Sequence, residues 1–324
     1  MVPIRYWQLF SYFVYSEFVG GERQSSIINA LTFGGKKTAE MLSKGVGGMA
    51  ILELKRDGGY FHFDREQCAT VGASLGEAYR SAHPFPSIAL DDFLDADILR
   101  QILREFPSRD GVRFFNRAQE RFKYQFGPDH FSGPTIRNLM AELNSDAFVQ
   151  FLSEMTGISG LIPDPYFVGG GLHETLPGGH LSIHADFNIH GDMKVERRLN
   201  LLVYLNDDWD PSYGGELELW DAKMRGSARS ILPIMGRAVV FNTTSKSFHG
   251  QPDPVKCPEG RSRRSIATYY YTAFRVEADI PVRSTMFQAR PGTDDKPDWK
   301  VRYRHFVNDW VPPRLQRIAK RLAP

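Results

Sequence analysis

Cysteine is almost absent. Cys68 and Cys257 are the only two in 324 residues and lie far apart, which excludes a disulfide framework and any zinc site built from paired thiolates. An excess of either charge is missing too: 40 Lys+Arg against 38 Asp+Glu leave a net charge of +2, so there is no broad basic field, and no nucleic-acid partner is expected. No run of about 18 uncharged apolar residues occurs, which removes a transmembrane segment. The aromatic stretch from Tyr6 to Tyr15 has Glu17 close behind it and no small-residue cleavage site, so it reads as buried or partner-facing structure rather than a signal peptide. The sparse cysteines fit a reducing, cytoplasmic setting. What is plentiful is core material, with 42% hydrophobic and 13% aromatic residues against 24% charged, the composition of an ordinary globular chain.

Four regions follow from the patterning. Residues 1–83 form an N-terminal segment of unclear role, in which Gly34-Gly35-Lys36-Lys37-Thr38 lacks the glycine and Gly-Lys-Thr order of a phosphate loop. Residues 84–159 read as a helical support region. A short strand ends at Leu90, and a helix capped by Asp95 presents Ile98, Leu99, Ile102 and Leu103. A second helix begins at Thr135, and a third runs from Ser145 to Gly157. Over residues 160–280 the period changes to two, with segments such as Leu181–Asp186, Leu199–Leu205, Glu216–Trp220, Ala238–Phe241 and Ser265–Phe274, as in a jelly roll. Residues 281–324 form an extension whose stretch Arg314–Leu322 reads as a basic amphipathic helix. The stretches 108–133, 166–180 and 243–262 read as loops that would set specificity.

The chemistry concentrates in His180-Leu181-Ser182-Ile183-His184-Ala185-Asp186. Strand alternation puts Leu181, Ile183 and Ala185 on one face and His184 and Asp186 on the other, so an imidazole and a carboxylate project side by side. One more ligand would complete a two-His, one-carboxylate triad, which leaves coordination positions open as in non-haem Fe(II) oxygenases. His249, beyond the apolar strand Ala238–Phe241, is the candidate. Arg263 and Ser265 open a later strand two residues apart and share a face, where a guanidinium fork and a hydroxyl can grip one carboxylate. A one-residue slip in register would give that place to Arg264.

These residues resemble the Fe(II)- and 2-oxoglutarate-dependent dioxygenases, in their prolyl 4-hydroxylase-like branch. The resemblance covers roughly residues 84–275 and rests on His184-x-Asp186, His249, Arg263-x-Ser265, the strand ending Tyr204-Leu205-Asn206, and Gly214-Gly215-Glu216-Leu217. It implies an α+β protein with a double-stranded β-helix (jelly-roll or cupin-like) core and supporting α-helices. It also implies Fe(II) on His184, Asp186 and His249, 2-oxoglutarate held by Arg263 and Ser265, O2 as oxidant, and ascorbate as an optional addition. The implied reaction hydroxylates a C–H bond of a small-molecule or peptide substrate, prolyl or otherwise, and converts 2-oxoglutarate to succinate and CO2. Many prolyl hydroxylases of this branch use lysine at the clamp; arginine stands here, which loosens the link to proline.

Other readings of the same residues compete. A cupin-like module could bind a metal or carboxylate without oxygenase turnover, although Arg263-x-Ser265 would then be superfluous. A metal-dependent isomerase or hydrolase would need a general base that the sequence does not offer. His190-Gly191-Asp192 repeats the His-x-Asp pattern without apolar alternation and reads as a hairpin. Asn200 is a candidate for contacting the cosubstrate. His173 and His180 read as satisfied or solvated histidines, Glu216 and Glu218 as the wet face of a strand, and Arg264 as facing outward.

Overall fold

The computed structural model describes residues 50–274 and 282–311; the aromatic run at 6–15, the Gly34–Thr38 stretch and the basic helix expected at 314–322 lie outside them. A hairpin of β1 (Leu54–Asp57) and β2 (Tyr60–Phe63) leads into α1 (Arg65–Arg80), capped by Asp64, whose side chain accepts from the Gln67 amide. β3 (Ser87–Leu90) and α2 (Ala96–Arg104) follow, then a second hairpin of β4 (Arg113–Arg117) and β5 (Glu120–Phe126). α3 (Pro134–Glu142), α4 (Asp146–Thr156) and β6 (Ile162–Pro163) complete the first half.

The helices form for local reasons. Asp95 accepts from the Asp97 amide and Ser145 from the Phe148 amide, caps worth about 1 kcal/mol each. Gly157 closes α4 at φ 73°, a left-handed position that glycine takes without strain. Phe148, Phe151, Leu152 and Met155 are fully buried, at about 2 kcal/mol apiece. α1 packs against α4 through Gly72, where a Cβ would run into the Phe151 carbonyl oxygen.

The rest of the described chain is mainly sheet: β7 (Gly171–Ala185), β8 (Glu196–Tyr204), β9 (Leu217–Trp220), β10 (Ser227–Ile231), β11 (Ala238–Asn242), β12 (Phe248–Gln251), β13 (Arg263–Thr272) and β14 (Met286–Phe287), then α5 (Trp299–Trp310). β7 carries the architecture. Its first part pairs with β13, and the order continues through β8 and β11 to β3. Its last part pairs with β12, and the order continues through β9 to β10. Gly178, at φ 78°, and Gly179 lie between the two parts. A five-stranded and a four-stranded antiparallel layer that share β7 in this order are a double-stranded β-helix, with the β4–β5 hairpin added along β7 from Leu172 to Leu181.

One large core cluster joins the N-terminal layer to the barrel, from Leu52, Leu75 and Tyr79 through the α4 face to Leu199, Leu201 and Val203. Residues 52–80 therefore pack with the support region. Three loop expectations are corrected. Residues 108–133 contain the β4–β5 hairpin, which pairs with β7 along Glu120–Phe126. Most of 166–180 is already β7, because Pro177-Gly178-Gly179 bends the strand without ending it, and 243–262 contains β12.

Candidate active site

His184 sits near the end of β7 and faces His249 directly across the ladder to β12, with ring centroids 4.5 Å apart; Asp186 follows one residue after β7 ends. One ligand atom from each of the three lies within 4.8 Å of the others, and no other such cluster occurs among the described residues. Both imidazoles are fixed by one device: Nδ1 of His184 lies 2.8 Å from the Ser182 carbonyl and Nδ1 of His249 lies 3.0 Å from the Ser247 carbonyl. A ring donating from Nδ1 leaves the Nε2 lone pair facing the cluster. Burial pushes the His249 imidazole down to about 4, against the opposing pull of the Asp186 charge, so it stays neutral as a metal ligand must.

These atoms fit a cation. The Nε2 atoms of His184 and His249 lie 3.6 and 3.4 Å from the Asp186 oxygens. Donors about 2.0–2.2 Å from one metal ion lie roughly 3 Å from one another. Lone pairs converging this closely need positive charge between them.

Asp186 is held from behind. Asn200 Nδ2 donates to its Oδ2 at 2.8 Å, and an Arg197 nitrogen lies 3.1 Å from the same oxygen. The Asn200 carbonyl accepts twice from Arg197, at 3.0 and 2.7 Å. The Arg197 guanidinium is stacked 3.5 Å from the Tyr269 ring centroid and 4.6 Å from that of Phe187. Burial would raise the Asp186 carboxyl, but the Arg197 charge together with the His249 and His184 imidazoles outweighs it and holds the acid ionised. Asn200 lines the cavity, with its amide committed to Asp186 and Arg197.

Sequence reasoning missed Arg197. Simple alternation places it with Leu199 and Leu201 on the opposite face from Asn200, but the β8–β13 ladder slips between Tyr270 and Tyr271, which pair with Leu199 and Arg197. That bulge turns Arg197 to the cavity side. The nearest sequence signal was a charged residue that opens an otherwise apolar strand.

A cavity of about 290 Å³ runs from this cluster to Arg263 and Ser265, which both line it. Arg263 is 8% exposed; its Nε donates to the Gly215 carbonyl at 2.6 Å, and Nη2 lies 3.4 Å from the Tyr204 hydroxyl. Gly215, at φ 79°, lets the backbone come this close, which is the use of the glycine pair before β9. Among the described residues no carboxylate forms an ion pair with Arg263; burial lowers its pKa, against the Tyr204 hydroxyl and the more distant Glu216 charge. Arg264 alternates to the outer face, 3.0 Å from Glu174 and stacked on Phe106.

The other histidines separate by burial and partners. His173 lines the cavity as the cross-strand neighbour of Ser265, with Nε2 3.1 Å from the Gly169 carbonyl. His180 lies 3.1 Å from the Ala118 carbonyl. His190 is fully buried 3.4 Å from Asp164 while Asp192 is exposed, so that pair does not converge. Glu218 receives the Trp220 indole at 2.7 Å.

Residues 170–271 match the family model of the 2OG-Fe(II) oxygenase superfamily. The chain is 27% identical over 213 residues to prolyl 3,4-dihydroxylase OGFOD1 of Ostreococcus tauri, covering 60% of this chain and 39% of that protein. It is 24% identical over 200 residues to mouse prolyl 3-hydroxylase OGFOD1, covering 58% and 33%. The chain thus spans well under half the length of these curated relatives. Among solved structures, a Pseudomonas putida prolyl-4-hydroxylase superposes with a TM-score of 0.45 at 20% identity, over 63% of this chain and all of that one. Within the matched stretch fall His184, Asp186, Asn200, His249, Arg263 and Ser265. No helix among the described residues is long and apolar enough to cross a membrane.

Proposed function

We propose that the protein is an Fe(II)- and 2-oxoglutarate-dependent dioxygenase that hydroxylates a C–H bond, with His184, Asp186 and His249 as iron ligands and Arg263 and Ser265 receiving the far carboxylate of 2-oxoglutarate. The observation that carries this reading is the buried Arg263 guanidinium, with no acid in contact and only the Glu216 charge acting on it from farther off, in the cavity that also holds the converging triad. An isolated buried charge is costly, and a carboxylate ligand relieves it. Once bound, iron and 2-oxoglutarate supply an oxidant that turns C–H into C–OH while the keto acid leaves as succinate and CO2.

The chain's own residues prepare the site. The Ser182 and Ser247 carbonyls aim the two imidazoles. Arg197 and Asn200 occupy Oδ2 of Asp186, which favours Oδ1 as the single oxygen offered to the metal and keeps coordination positions open. Phe287 and Phe241 flank the two histidine rings, at 5.4 and 4.6 Å between centroids, and exclude water.

For substrate, the reading favours a peptidyl residue, prolyl by analogy with the curated relatives. Phe115, Arg117 and Phe287 stand in the cavity lining, and β4 pairs only with β5 among the described residues, leaving an edge that an extended peptide could join. Both cysteines are free and buried, which supports a reducing, cytoplasmic compartment. Residues 84–159 and 160–280 are assigned as support region and catalytic core.

The test incubates purified protein with Fe(II), 2-oxoglutarate and O2 and measures succinate. Wild type is expected to produce it, with candidate peptides stimulating release, and His249→Ala to lose it by about three orders of magnitude or more. Wild type that forms none overturns the reading.

A further inference from the structure

α5, the last described helix, exposes Trp299, Tyr303, Phe306 and Trp310 at 68%, 70%, 56% and 76%. Their spacing of four, three and four residues places all four rings on one line of the helix. The packed side is different in character: His305, 8% exposed, accepts from the Ser284 amide at 3.2 Å. A globular domain normally turns an aromatic stripe inward; α5 leaves its stripe exposed. At roughly 200 Å² a ring, two-thirds exposure of four rings leaves on the order of 500 Å² of apolar surface, the upper end of what one patch on a soluble monomer carries.

Charge surrounds the stripe. Lys300, Arg302 and Arg304 are exposed beside it, and the Arg302 guanidinium lies 5.3 Å from the Trp299 ring centroid. From residue 299 to the end the sequence carries seven Lys/Arg and a single acid, Asp309, in a chain whose net charge is only +2. Of the nearby acids upstream, Asp298 caps α5 and Asp295 is paired with Arg290.

We propose that this face of α5 binds the surface of an anionic phospholipid bilayer. The ring types point there: Trp and Tyr combine an apolar body with a polar edge and suit the boundary between lipid and water, whereas a helix–helix seam would use Leu or Ile. The flanking cations complement acidic headgroups. A second copy docking face to face would bring like charges together. The stripe spans about 16 Å, and α5 lies in the interface plane rather than crossing it. Its bond to Ser284 ties it to the segment whose Thr285 and Phe287 line the candidate cavity, so a bilayer-bound chain brings that cavity to the membrane. This proposal does not depend on the dioxygenase reading.

The experiment floats the full chain with vesicles of phosphatidylcholine alone and of phosphatidylcholine mixed with phosphatidylglycerol. Wild type is expected to bind the mixed vesicles at least about tenfold more tightly, with a blue shift of tryptophan emission, and to release as salt rises. The double variant Trp299→Ser/Trp310→Ser is expected to lose about tenfold or more of that binding. Its melting temperature and succinate formation stay at wild-type values, because both rings are exposed and outside the cavity. Equal binding to the two vesicle types, no binding, or undiminished binding by the double variant overturns the proposal. So does self-association that the double variant abolishes, or a preference for single-stranded RNA over vesicles.

Discussion

Arg197 and Arg263 are both buried guanidiniums on the wall of one cavity, yet their charges are balanced differently. Arg197 lies between two rings with the Asp186 carboxylate 3.1 Å away, and although burial lowers its pKa, the Asp186 charge together with Tyr269 and Tyr271 more than restores it. Arg263 has a backbone carbonyl and a tyrosine hydroxyl but no acid in contact, only the more distant Glu216 charge, and its pKa falls with burial. Next to it, Arg264 points outward and has Glu174. A guanidinium given its own carboxylate is part of the scaffold; one buried without it is set for a carboxylate that arrives with a ligand. On the proposed reading the two ends of the cavity divide the work, one fixing a metal ligand and the other receiving an anion.

The largest effect should come from removing the internally balanced charge. Arg197→Met would leave Asp186 buried beside uncompensated lone pairs, and the metal-free protein should lose about 3–5 kcal/mol of stability in urea unfolding. Stability at or above wild type would mean that Asp186 does not depend on Arg197. A smaller effect is expected on the outer face. Burial would raise the Glu174 carboxyl, but hydrogen bonds from Arg109 and Ser262 and the charge of Arg264 hold it at about 2, below its ordinary 4.5. A depressed acid stabilises the fold above its unfolded value and loses that contribution as pH falls through the folded one. The advantage of wild type over Glu174→Gln should therefore be complete above about pH 5 and fade toward pH 2. Its size, discounted for the partly exposed arginines, is about 2 kcal/mol. Thermal melts of both proteins across that range would show it, and a gap that stays constant with pH would contradict it. The smallest effect belongs to Asn200→Ala, which removes one of two donors to Asp186 and should cost about 1 kcal/mol of stability with modestly weaker iron binding by titration.

The sequence disclosed most of the site because its chemistry follows strand alternation. His184 and Asp186 were legible from period two, and parity favoured Arg263 over Arg264 only on the condition that the register did not slip. Arg197 was not, since a bulge reverses the parity of β8 at that point. In the fold, α2, α3 and α4 announced themselves by caps and apolar stripes. α1 did not: its buried side includes Cys68, Gly72 and Gly76, and a glycine such as Gly72, needed for close approach to α4, looks like a helix breaker in one dimension. β10 buries only Ile231 and shows no alternation. The Pro177–Gly179 stretch mimics a turn because a strand passing between two layers must bend.

The account's central claim is that Arg263 is buried for a ligand's carboxylate, and one paired measurement tests it most directly. Wild type and Arg263→Met are loaded with Fe(II) under anaerobic conditions and titrated with 2-oxoglutarate and with 2-oxobutyrate, which lacks the far carboxylate, by calorimetry. Wild type should bind 2-oxoglutarate more tightly by about 2–4 kcal/mol, roughly 30- to 700-fold. Arg263→Met should bind both acids equally weakly while keeping its iron and its melting temperature. Indistinguishable binding of the two acids by wild type, or undiminished 2-oxoglutarate affinity in Arg263→Met, would contradict the claim.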